Sequence, residues 1–226
     1  MSETENQIAR MSAEWELLLA KSANTRAVPM EWERSIASMQ REVNLLRDQG
    51  RWLGGYRTLM HALGIQYREV YLTAGLAWLL DPDGWHGLGS KVLSGLLAQL
   101  GLPSGIEHPV TVSKEETRSA GETRADLVIR MPGVTLLVEA KVYADEQPGQ
   151  CDRLADAWAP ENPSLVFLTR DGHPPRTAVR SVTRWRRLTW TQVGTIVAAA
   201  IQTPDQTPDC APGVQELLTT IEIFGK

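Results

Sequence analysis

Apolar residues recur at three- and four-residue intervals through the first fifty positions, and later condense into short continuous runs. Ile8, Met11, Trp15 and Leu18 share one face of a 3.6-residue helix, and Ile36, Met39, Val43 and Leu46 share a face of a second, after Pro29 and before Gly50. A third helix is predicted over 68–80, ended by Asp81-Pro82 because Pro disfavours helical geometry in the residue before it. A fourth covers 90–100, with Gly101 as its stop signal. Strands are predicted over 107–114, 125–131 and 134–142, then a helix over 149–158 and a buried strand over 164–169. A short strand at 187–190 and helices over 191–201 and 214–224 complete the chain. This order predicts an α/β sandwich with a mixed central sheet flanked by helices. Residues 1–60 are read as an N-terminal helical extension and 61–226 as the main domain. The extension's apolar faces are expected to pack on that domain, to lie against a second subunit or to contact a partner protein; ordinary packing is the commonest of the three.

The pair of strands around Pro132-Gly133 carries the chemistry. If pairing is symmetric about that turn, Met131 faces Val134, and counting outward sets Asp126 opposite Glu139. Lys141, two residues further, projects from the face of Glu139. Such polar residues are often a solvated hairpin face. Here Leu136, Leu137 and Val138 run directly into Glu139, followed by Ala140 and Val142, which reads as a central strand buried on both sides. A carboxylate and an ammonium at the end of such a strand are costly unless paired or bound to a metal. The expected site therefore holds a divalent metal and an activated water. Pro-Gly favours a type II turn, which is not the preferred two-residue hairpin loop; a symmetric widening leaves the register intact, whereas a bulge shifts it.

Composition narrows the setting. The 226 residues carry a formal net charge of −4, so nucleic-acid binding needs a local basic face. One candidate is the run R-T-A-V-R-S-V-T-R-W-R-R, with Arg176, Arg180, Arg184, Arg186 and Arg187 for phosphate contacts and Trp185 for stacking on a base. The alternative is a surface loop whose arginines pair with acids elsewhere. Two cysteines, Cys151 and Cys210, give no disulfide framework, and the polar N-terminus has no signal-peptide core, so a cytoplasmic setting is expected, with no membrane span. His61, His108 and His173 show no metal-ligand spacing, and His86 reads as structural. The chain has no P-loop motif and no nucleophile elbow.

The pattern D-x(12)-E-A-K on a strand pair resembles the PD-(D/E)XK nuclease superfamily, with Ala125 where the Pro of the motif often stands. The stretch E-V-Y-L-T-A-G-L-A-W-L-L-D-P at 69–82, followed by H-G-L-G at 86–89, is similar to an upstream helix of bacterial members, and Gln150 matches a Gln on the helix after the E-x-K strand. The resemblance implies a restriction-endonuclease-like αβββαβ core and a Mg²⁺-dependent nuclease, with Mn²⁺ as a substitute. It implies metal ligation by Asp126, Glu139 and the Ala140 backbone carbonyl, with Glu69 as an additional acid. Lys141 is placed beside the attacking water, and Gln150 holds a phosphate, a water or Lys141. DNA is the implied substrate, a dimer or larger homo-oligomer the implied assembly, and phage defence or a prophage the implied context. The competing readings are an RNase and a catalytically silent module that keeps the fold for nucleic-acid binding or assembly.

Overall fold

The computed structural model describes residues 3–51, 54–118, 123–202 and 210–225. It divides into two compact units, Met1–Gly55 and Tyr56–Lys226. The first is a single helix, α1 (Glu3–Asp48), which runs unbroken through Pro29, where the sequence predicts a division between two helices. Proline removes one hydrogen-bond donor and crowds the preceding turn. Good helix formers on both sides, such as Arg26, Ala27, Met30 and Glu31, sustain the turns around it. The side chains of Ile8 and Met11 lie outside the described residues.

The second unit is built on a five-stranded sheet in the order β1-β2-β3-β4-β5, with β1 (Thr111–Arg118), β2 (Thr123–Met131), β3 (Val134–Ala140), β4 (Ser164–Thr169) and β5 (Trp185–Thr189). The first three strands pair antiparallel, and β3, β4 and β5 run parallel. This is the mixed sheet expected from the element order, in a restriction-endonuclease-like arrangement. One face is covered by α3 (Glu69–Leu80), α4 (Lys91–Gln99), α6 (Trp190–Ile201) and α7 (Pro212–Ile221), with the short α2 (Leu59–Ala62) against α7. Leu72, Leu76, Leu93, Leu97, Trp190 and Val197 pack there on Leu127, Ile129, Leu136, Val138, Val166 and Leu188. The other face carries α5 (Gln150–Ala157), whose Cys151, Leu154 and Ala155, with Trp158 just beyond, meet Val128, Leu137, Leu165, Phe167 and Trp185. Covering both faces is why β3 and β4 read as uninterrupted apolar runs.

The Pro132-Gly133 turn is tight. Met131 pairs with Val134, and Gly133 supplies the positive φ of 75° that a type II turn requires at its second central position. The ladder runs without a bulge to Leu127 opposite Val138. Two predicted strands shift. β1 begins at Thr111, beyond Pro109, which has no N–H for a ladder, and extends to Arg118 as a polar edge strand. β5 begins at Trp185, because the strand's buried positions are Trp185 and Leu188.

The parallel connection from β4 to β5 uses no α-helix, so its backbone donors need other partners. Glu146 accepts from the N–H groups of Arg176 (2.8 Å) and Thr177 (2.9 Å), and Asp152 accepts from Val179, Arg180 and Ser181 at 3.0–3.2 Å. The Ser181 hydroxyl also donates to Asp152 at 2.7 Å, and this bond with the three backbone donors holds its carboxyl down to about 2. Two carboxylates thus fasten the long loop to the start of α5.

Candidate active site

Where the β2–β3 ladder ends, one step past the Leu127–Val138 pair, Asp126 and Glu139 come next on the two strands. Asp126 Oδ2 accepts the Ala140 N–H at 2.8 Å, tying the β2 carboxylate to the residue between Glu139 and Lys141. Glu139 is fully buried. Its Oε1 accepts from Lys141 Nζ at 2.7 Å and from Gln150 Nε2 at 2.6 Å. The Gln150 carbonyl accepts the Gln147 N–H at 3.1 Å, so the amide is held at both ends.

Glu69 reaches the same place from the first turn of α3. Its Oε1 accepts from Val142 N–H (2.7 Å) and Ala144 N–H (3.2 Å), and Oε2 lies 3.9 Å from Lys141 Nζ. Glu69 thus lies beside Lys141, with Oε1 engaged by the backbone after β3 and Oε2 left toward the Lys141 ammonium. Among the described residues no group of three or more His, Cys, Asp or Glu side chains is arranged to hold a metal.

The electrostatics follow from burial. Removal from water pushes the Glu139 carboxyl up to about 8, assisted by the negative charge of Asp126. Burial likewise raises Asp126. For Lys141 burial pulls downward, but Glu139, Asp126 and Glu69 outweigh it and hold the ammonium above its ordinary value. Glu139 Oε2 is buried and without a hydrogen-bond partner among the described residues. A buried carboxylate oxygen with no donor is costly, and a hard cation shared with Asp126 would satisfy it. The donor set therefore fits an oxygen-preferring divalent metal held by two carboxylates and completed by water.

A cleft of about 580 Å³ opens onto the site, lined by Glu69, Asp126, Lys141 and Gln150, by the cations Lys114, Arg124 and Arg153, and by the acids Glu115 and Asp145, with Arg124 paired to Glu115 at 3.2 Å. These three cations escape a search for basic runs because they are far apart in sequence. The signals that locate them are geometric: Arg124 lies two residues before Asp126 on β2, Arg153 one helical turn after Gln150 on α5, and Lys114 opposite Leu127 on β1.

The arginine run does not form one basic face. Trp185 is only 6% exposed, packs edge-on to Phe167 and donates its indole N–H to Ser181 Oγ, so it is core and cannot stack on a base. Arg180 pairs with Asp156 at 2.6 Å, and Arg186 Nη1 donates to the Leu100 carbonyl at 2.7 Å. Strand alternation sends Arg186 and Arg187 to opposite sides of the sheet. Arg187 shares the face of Glu139, beyond Phe167. Arg176 lines a smaller hollow of about 270 Å³ beside Lys141, Asp145 and His173. Arg184 lies in an exposed turn before β5. His86 is buried and structural: its Nε2 bonds the Asp81 carbonyl at 2.8 Å and its Nδ1 accepts the Leu88 N–H at 3.0 Å.

A family model described as PD-(D/E)XK nuclease superfamily matches residues 59–207. No curated protein and no solved structure matches the chain.

Proposed function

Because the chain belongs to the PD-(D/E)XK nuclease superfamily, we propose that its cleft hydrolyses phosphodiester bonds, that the substrate is DNA, and that Mg²⁺ or Mn²⁺ is required. The observation that carries this reading is the convergence of Asp126, Glu139 and Lys141 at one strand end, with Glu139 Oε2 buried and unpaired. Asp126 and Glu139 would hold the ion, with the Ala140 carbonyl as a third oxygen donor. A bound divalent cation there polarises the phosphate and acidifies a coordinated water.

The chain's own residues supply the rest. Lys141 stays protonated in its ring of carboxylates, so its role is to orient the attacking water and to offset negative charge on the phosphate in the transition state. General-base action would need a depressed pKa, opposite to the direction found. Gln150 fixes the Glu139 rotamer through its 2.6 Å bond, and Glu69 fixes the chain after Lys141 through Val142 and Ala144. Both act by positioning. Lys114, Arg124 and Arg153 line the cleft where a phosphate backbone would lie.

Two free cysteines suit a reducing, cytoplasmic setting. Among the described residues no helix is long and apolar enough to cross a membrane. A homo-oligomer suits cleavage of both strands, which needs two sites. The phage-defence or prophage context rests on family resemblance alone.

The test is incubation of purified protein with plasmid DNA and with single-stranded RNA across a Mg²⁺ and Mn²⁺ series. DNA breakdown that EDTA abolishes is the expected result. Cleavage of RNA alone would overturn the substrate assignment, and no cleavage with any divalent metal would leave a nucleic-acid-binding or assembly module.

A further inference from the structure

Helix α1 carries an apolar seam that the nuclease reading does not use. Trp15, Leu18, Trp32, Ile36 and Met39 are each half or more exposed. Their spacing is regular. Trp15 and Leu18 are three apart, and Trp32, Ile36, Met39, Val43 and Leu46 step by four, three, four and three. From Leu18 to Trp32 is fourteen residues, two whole heptads, so both blocks keep one phase of a seven-residue repeat. In the sequence, Ser22, Thr25 and Pro29 take the intervening positions. The row opposite the seam, at 13, 20, 27, 34, 41 and 48, reads Ala, Ala, Ala, Arg, Arg, Asp and holds no large apolar side chain.

A strict heptad drifts around a straight helix and keeps facing its partner only when two helices supercoil about each other. We infer that α1 pairs with α1 of a second copy of this chain as a two-stranded coiled coil. The surface is self-complementary, as a two-fold interface must be. Its size is adequate: Trp15 and Trp32 from both copies, at about 150–250 Å² each, bring roughly 600–1,000 Å² before the aliphatic residues are added. A standard stable interface buries about 1,600 Å² in total. The inference is independent of the nuclease assignment, because its readout is mass.

Light scattering on the full-length protein, run through size exclusion, tests it. The wild type is expected at twice the 25.0 kDa chain mass. Ile36→Glu combined with Met39→Glu is expected at the mass of one chain, with the thermal transition of the Tyr56–Lys226 unit unchanged. Arg34→Glu combined with Arg41→Glu, on the opposite row, should remain dimeric. Met39→Glu alone offers a milder version of the same test. A single-chain mass for the wild type overturns the inference and leaves the seam to the same chain or to another protein. Dimers that survive the seam substitutions, three or more copies in the wild type, or monomers from the opposite-row variant would each overturn it too.

Discussion

Glu139 is a buried carboxylate with one oxygen paired twice and the other unpaired among the described residues. Its carboxyl lies near 8, against an ordinary value near 4.5. A group raised in this way favours folding when protonated, so its contribution in metal-free protein is complete below about pH 4.5 and is lost as pH rises through about 8. Glu139→Gln should therefore raise the Tm of the metal-free protein at about pH 8, with little effect near pH 4.5. Each kcal/mol recovered is worth about 2–4 °C in a domain of this size. Added Mn²⁺ should raise the Tm of the wild type and leave that of the variant unmoved. Lys141→Ala should lower kcat by about 10²–10³-fold, the usual loss for one aimed electrostatic donor, with circular dichroism unchanged. The positions of Asp126, Glu139 and Lys141 were legible in the sequence because strand register is simple counting outward from Gly133. The tasks of Glu69 and Gln150 were not, because their partners, two backbone N–H groups and one rotamer of Glu139, exist only after α3 and α5 have packed on the sheet.

At the scale of elements, the loop from β4 to β5 depends on two carboxylates for its backbone bonds. Asp152 is held down to about 2, chiefly by the Ser181 hydroxyl and then by the backbone donors. A depressed carboxyl contributes stability above its ordinary value near 3.8 and loses it as pH falls through about 2. Asp152→Ala should therefore speed amide exchange at Val179, Arg180 and Ser181 by at least about tenfold at neutral pH, the equivalent of one lost charged hydrogen bond. Amides of β3 and β4 should be unaffected. Unchanged exchange in the loop would reject the fastening role. The central strands and α3 to α7 follow from apolar runs and periodicity, because burial dictates both. The misread elements are those where a local signal yields to its surroundings. Pro29 does not end α1, and the polar end of β1 is a strand only because β2 lies beside it. Trp185 reads as a binding residue because its neighbours in sequence are arginines; its place in the core is set by Phe167 on the adjacent strand β4.

For the whole molecule, a chain of net charge −4 binds a polyanion only through a local face. The face we propose is the cleft rim rather than the arginine run. Replacing Lys114, Arg124 and Arg153 together by Ala should weaken DNA binding measured in Ca²⁺ and reduce the slope of log K against log salt by up to about three, near one per lost phosphate contact. Replacing Arg180 and Arg186, whose guanidinium groups are engaged by Asp156 and the Leu100 carbonyl, should change the slope little. The reverse pattern would return the binding face to the run.

In the mechanism proposed, Asp126 and Glu139 grip one cation between them. Electron paramagnetic resonance of Mn²⁺ titrated into the metal-free protein tests this most directly. The wild type should take up Mn²⁺ stoichiometrically in the absence of DNA, and Asp126→Asn and Glu139→Gln should each weaken uptake by at least about 100-fold, roughly 2.7 kcal/mol. Uptake that is the same in all three proteins would show that these two carboxylates do not hold the ion.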